Sequence, residues 1–365
     1  MSTSTSLNMH PVATAVVEKP RYQLWTTNLR TARVIRYTVG VTAAVAISFG
    51  FKWPLYFLTP IFTALFLTKL LAGPTLKQTF ALFKYVAVAF AIGLVFTLFL
   101  LPYPLIYVPA LGLALFHIFY MVNRGGPLML GLMSLVAVLL LPVMGNAHEA
   151  LAMIIALYFA WSVALAVIIY LLAQGLFPDP PCEQPVHEHG GLQSGYSEVA
   201  AISALKSTIS VLPLATLFIA AELTGEIIVL IYTAIFSISP ELSKGKEAGL
   251  KSLTSTLVGG LAALAIYWLL VAVPEYHFFI VLMLLTTLMF GANIFSENSL
   301  AKYLPSAITA MFLLLSASMG VGVSLMGKFI IRVILISLAT VYVVGVMSIL
   351  DKVFDRVMKK HSKEK

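Results

Sequence analysis

The chain has 365 residues, of which 60% are hydrophobic and only 10% charged, at a mean hydropathy of +0.97. Soluble domains carry about a quarter charged residues, so this composition excludes a soluble globular protein and defines an integral membrane protein. The formal net charge of +8 is no nucleic-acid footprint, because the lysines and arginines sit in short loops beside apolar spans, and a lone cysteine, Cys182, excludes an internal disulfide framework.

Residues 1–29 are polar and rich in Ser and Thr. They lack the apolar core of a cleaved signal peptide, so they are expected to form a cytoplasmic tail, with insertion beginning at the first span. Apolar runs of about twenty residues suit helices crossing ~30 Å of hydrocarbon. Such runs lie near 32–51, 53–71, 80–101, 103–122, 126–145 and 149–176, and again near 201–222, 226–240, 250–272, 275–294, 302–321 and 328–350. Proline and aromatic clusters at Lys52-Trp53-Pro54, Pro102-Tyr103-Pro104 and Pro274-Glu275 mark tight interfacial turns between them. The second and eighth runs are short, which predicts tilted or broken helices, and the total lies between ten and twelve spans.

Between the two sets lies Phe177 to Tyr196, a polar stretch with several prolines and glycines and no lysine or arginine. It cannot bury enough apolar surface to fold alone and reads as a linker. The predicted organisation is a membrane repeat over 30–176, a cytoplasmic linker over 177–200, a second membrane repeat over 201–350 and a basic tail over 351–365. Sliding the second half back by roughly 172 positions brings Pro102 onto Pro274, Gly73 onto Gly245 and Ser134 onto Ser306. The shared order of apolar runs, basic loops and proline breaks is a stronger signal than these identities. The expected fold is an all-α membrane protein of about twelve transmembrane helices in two tandem six-helix repeats.

Lysine and arginine placement sets the expected orientation. Lys69, Lys77, Lys84, Arg124, Lys206, Lys244, Lys246, Lys251 and Lys302 fall on one face, with the basic C-terminal end. The opposite face holds Lys52, Lys328 and Arg332 beside Glu149, Glu222, Glu226 and Glu275. Both termini and the linker are therefore expected in the cytoplasm. An even number of spans per half gives the halves one orientation, hence a pseudo-two-fold axis along the membrane normal.

Ionisable groups inside spans are costly, so each is a functional candidate. Arg33 and Arg36 open the first span, either as snorkelling anchors or as attractors of anionic substrate. His117 lies within the fourth span and is either a packing residue or a proton relay. Asn123 and Arg124 end that span, and Asn293, Glu297 and Asn298 end its counterpart. These two ends are either ordinary loops or a cytoplasmic gate between the halves. Glu222 and Glu226 flank Thr224-Gly225, as solvated charges or as neighbouring carboxylates that raise one another's pKa and exchange protons. Lys328 and Arg332 open the last span, supplying a cationic exit for an acid or pairing with the outer glutamates. The small-residue stretch Ser316–Gly322 suits close helix contact or an unwound binding segment. Cys182, Glu183, His187, Glu188 and His189 match no standard metal spacing, and no metal or cofactor is expected. Walker, GxSxG and HExxH signatures are absent from the sequence, so no enzyme is expected.

Two six-span halves, a first span introduced by Arg33-x-x-Arg36 and basic loops after the even-numbered spans resemble the fusaric-acid-resistance (FUSC) and aromatic-acid-exporter superfamily, in its compact membrane branch without large cytosolic domains. The likeness covers roughly residues 25–355. It implies an inner-membrane efflux component for small, often aromatic, organic acids, driven by protons and working with a periplasmic membrane-fusion adaptor of the HlyD type. Besides lipid, substrate and adaptor, a second copy of the chain is a further potential partner. The competing expectations are a passive anion channel and a non-transporting scaffold that holds an adaptor.

Overall fold

A computed structural model describes residues 29–69, 76–178, 195–223, 227–238, 242–318 and 325–361. Among these residues there are twelve α-helices and no strand. In the first half they are α1 (Leu29–Phe51), α2 (Leu58–Lys69), α3 (Leu76–Val95), α4 (Pro104–Asn123), α5 (Leu128–Ala147) and α6 (Glu149–Leu176). In the second they are α7 (Glu198–Ala220), α8 (Ile227–Phe236), α9 (Leu242–Ala272), α10 (Tyr276–Ile294), α11 (Leu304–Ser318) and α12 (Leu325–His361).

Local chemistry sets several boundaries. Ser197 opens α7 because its hydroxyl accepts from the Ala200 amide at 3.3 Å, and Glu198 puts a negative charge in the first turn. The turn from α1 to α2 is tight because Lys52 and Leu55 both adopt left-handed φ, at 51° and 61°. Helix α3 runs into a π-helical turn, Phe96–Leu100, just before Pro102 forces a break. Helix α9 starts earlier and α12 runs further than the apolar runs at 250–272 and 328–350. Apolar periodicity marks only the part of a helix in hydrocarbon, whereas the polar turns continue the same backbone into water.

Nine of the twelve helices are long and apolar enough to cross a membrane, while α2, α8 and α11 are shorter. The outer surface suits lipid. Leu105, Leu113, Leu157, Trp161, Trp268, Leu285 and Val341 are all exposed apolar side chains.

Inside, two cores form. The first gathers Tyr37, Phe62, Phe90, Phe159, Phe279, Met283 and Met311 from α1, α2, α3, α6, α10 and α11. The second gathers Tyr107, Phe119, Val211, Phe218, Leu230 and Ile336 from α4, α7, α8 and α12. Helix α5 is the wall between them, with Met133, Ala137 and Leu141 in the first core and Leu135, Leu139 and Val143 in the second.

The halves of the chain are interleaved. Helix α10 packs antiparallel on α1, with Arg30 donating to the Ala292 carbonyl at 3.0 Å at one end and the Tyr276 hydroxyl donating to the Ala46 carbonyl at the other. The fully buried Thr287 shares a 2.9 Å hydroxyl pair with Thr42 midway. Helix α4 packs on α7 in the same manner, and the Ser197 amide donates to the Tyr120 hydroxyl at 3.2 Å. The remaining pairings also come in twos: α3 with α5 and α9 with α11, α2 with α6 and α8 with α12, α5 with α8 and α11 with α2. Glycines admit the closest of these. A Cβ on Gly93 would lie 2.9 Å from the Ala137 carbonyl oxygen, and one on Gly259 only 2.1 Å from that of Ala307.

Candidate functional site

The charged side chains buried among the described residues are two arginines, Arg36 and Arg332. Arg36, on α1, is 1% exposed. Its Nη1 donates to Gln174 Oε1 at 2.5 Å and to the Phe177 carbonyl at 3.1 Å, tying α1 to the end of α6. Gln174 in turn donates to the Tyr170 hydroxyl at 3.2 Å. The guanidinium thus ties α1 to α6. At the matching corner of the second half, Lys206 of α7 meets Asp351 of α12 at 2.7 Å.

Arg332 is placed differently. It sits seven residues into α12, roughly 10 Å from the helix start at 1.5 Å per residue, and inside the apolar span Phe329–Val353. It is 4% exposed, so it does not snorkel to the surface. Nη2 donates to the Tyr232 hydroxyl on α8 at 3.1 Å, and the guanidinium carbon lies 6.0 Å from the centre of the Tyr232 ring. Nε and Nη1 are buried without a hydrogen-bond partner. Other hydroxyls line the same core. Ser207 donates to the Ser237 carbonyl at 2.6 Å, and Tyr342 donates to the Ser210 carbonyl at 2.9 Å. The Thr233, Ser237 and Ser210 hydroxyl oxygens are buried without partners.

The remaining candidates lie apart from this site. His117 is on the exposed face of α4, its Nδ1 2.8 Å from the Leu113 carbonyl. Such a contact requires the proton on Nδ1 and leaves Nε2 facing outward. Asn123 donates to the Phe119 carbonyl at 2.8 Å, and Arg124 lies 5.3 Å over the Tyr120 ring. Asn293 donates to the Met289 carbonyl at 2.8 Å, and Glu297 and Asn298 are exposed. The structure does not bring these two helix ends together, because α4 packs on α7 and α10 on α1. Glu222 is exposed in the turn after α7, at a left-handed φ of 53°. Arg33 is half-buried on α1. Glu226, most of the Ser316–Gly322 stretch and the Cys182–His189 cluster lie outside the described residues, as does the side chain of Lys328. Gln174 and Tyr232, which hold the two buried arginines, escaped the sequence reading. A tyrosine in an apolar run is ordinarily taken for an interfacial anchor.

Among the described residues, an all-helical bundle with an apolar exterior and nine helices long and apolar enough to cross a membrane defines a multi-pass membrane protein. Residues 33–173 match the family model "Protein of unknown function (DUF2955)", a match that begins in α1 and ends in α6. No curated protein and no solved structure matches the chain.

Proposed function

We propose that the chain is a proton-coupled secondary transporter of the bacterial inner membrane that exports small organic acids, working with a periplasmic membrane-fusion adaptor of the HlyD type. On this reading it consists of two six-helix repeats related by an axis along the membrane normal, with both termini cytoplasmic, in the manner of FUSC-like exporters. The observation that carries the reading is the pair α2 and α8. These are short helices in corresponding positions of the two halves, and such a pair points to the substrate path of repeat-built transporters. Offset by roughly 170 residues, the burial along 59–67 tracks that along 229–237, and Thr63 and Thr233, which this offset pairs, are both fully buried. The doubled helix pairings and a family match that spans α1 to α6 support the same organisation.

One proton moving down 100 mV supplies ~2.3 kcal/mol, roughly fiftyfold in concentration, which suffices to export an acid uphill. The passive anion channel is favoured by one observation. Among the described residues the buried charged side chains are two arginines, with no carboxylate or histidine buried beside them. Proteoliposomes with an imposed pH gradient and labelled benzoate separate the readings. Accumulation against the benzoate gradient, abolished by a protonophore, is expected for the carrier. Flux that only follows the benzoate gradient makes the chain a channel, and no flux of benzoate or of aliphatic carboxylates refutes both.

A further inference from the structure

We propose that Arg332 and Tyr232 form the binding site for a small monoanion, such as a carboxylate, between α8 and α12. This rests on the transport reading and names the charge class and the residues of its site. A guanidinium taken out of water is costly unless each donor is satisfied. Here the protein satisfies one nitrogen through Tyr232 and leaves Nε and Nη1 buried without partners. Those donors are what a monoanion needs, and its charge cancels that of Arg332 in a low-dielectric interior. The Tyr232 hydroxyl, by accepting from Nη2, fixes the guanidinium and keeps its own proton for a ligand oxygen.

The other half shows that the fold does not need a cation here. At the offset that aligns α8 with α2, Tyr232 corresponds to Phe62. The Phe62 ring packs on Phe159 of α6, the partner helix, at 5.4 Å between centroids, and Phe159 stacks on Phe90 at 4.1 Å. At the same offset Arg332 corresponds to Ser162 of α6, a fully buried hydroxyl that accepts from Trp53 Nε1 and donates to the Leu55 carbonyl, both at 3.4 Å, so neutral side chains fill the place that Arg332 and Tyr232 occupy in the second half. Taking an ion out of water is costly, and the first half builds the same corner from neutral side chains, so structure alone gives Arg332 no reason to be charged. The pathway is therefore asymmetric, with one anion site for two repeats.

The test is equilibrium binding of labelled benzoate to the purified full chain in detergent, with no gradient present, alongside the thermal midpoint with and without benzoate. Saturable binding is expected in the wild type, with competition by acetate and none by the neutral benzyl alcohol. Arg332→Gln should weaken it ten- to a hundredfold, in line with a charged hydrogen bond, and abolish stabilisation by benzoate. Arg332→Lys should retain part of the affinity. Should Arg332→Gln fail to fold, Tyr232→Phe decides, since it removes one hydroxyl. A three- to tenfold loss supports the site and unchanged affinity overturns it. Absence of saturable binding in the wild type, or wild-type affinity in a folded Arg332→Gln, also overturns it. A chain that binds benzoate at Arg332 without carrying it across vesicles refutes transport and leaves the site. One that carries benzoate equally well as Arg332→Gln refutes the site alone.

Discussion

Gly259→Ala offers a sharp test of the packing between α9 and α11. The added Cβ would lie 2.1 Å from the Ala307 carbonyl oxygen, 2.9 Å from its carbonyl carbon and 3.1 Å from the Ala310 Cβ. Two of these atoms are helix backbone, which cannot rotate out of the way as a side chain can. The helices must separate by roughly 1 Å to restore ordinary contact, and overpacking of this kind costs about 1–3 kcal/mol. Alanine's better helix propensity returns up to about 1 kcal/mol. A net loss of about 1–2 kcal/mol is expected, seen as a fall of a few degrees in the temperature at which a fluorescent fusion leaves the monodisperse peak in detergent. Gly345, on α12, is the control, because no atom lies within 4 Å of its Cβ position. Gly345→Ala should be neutral or slightly stabilising. The reasoning is refuted if the two variants melt together.

Thr42→Val and Thr287→Val probe the α1–α10 contact through their 2.9 Å hydroxyl pair. A double-mutant cycle read by thermal midpoint should give a coupling near ~0.6 kcal/mol, typical of polar pairs within membranes, and strict additivity would show that the hydroxyls do not meet. Asp351→Asn removes the charge opposite Lys206, but the side chains are 17% and 37% exposed. The loss should stay below about 1 kcal/mol and shrink further in high salt, and a salt-independent effect would contradict a solvated ion pair.

The membrane nature of the chain and the presence of its helices were legible because hydrocarbon demands long apolar runs, and loops must interrupt them with polar or turn residues. The shortness of α2 and α8 was legible for the same reason. Which face of each helix turns inward was not. Helix α4 buries Tyr107, Leu111, Leu115 and Phe119 on one stripe, while Leu113 and His117 stand exposed on another. Both stripes are apolar apart from His117, so periodicity cannot separate core from lipid, and a histidine that suggests a relay turns out to face outward. Helix neighbours were equally hidden. Loop lengths say that consecutive helices adjoin, yet nothing in the apolar pattern pairs α1 with α10 or α4 with α7. Arg332 was visible as a charge in a span, whereas its dependence on Tyr232 needed the fold.

The α1–α10 pairing has a consequence in time. Tyr37 covers the Cβ position of Gly291, and Arg30 reaches the Ala292 carbonyl, but these partners emerge from the ribosome far apart. At 5–20 residues per second the wait is on the order of 10 to 50 s. Throughout that interval the α1 face carrying Thr38 and Thr42 is in the bilayer with its partner still unmade. The first half therefore cannot complete its own packing on synthesis, and a truncated product is left with a groove shaped for α10, open to lipid, to a membrane chaperone or to the wrong helix.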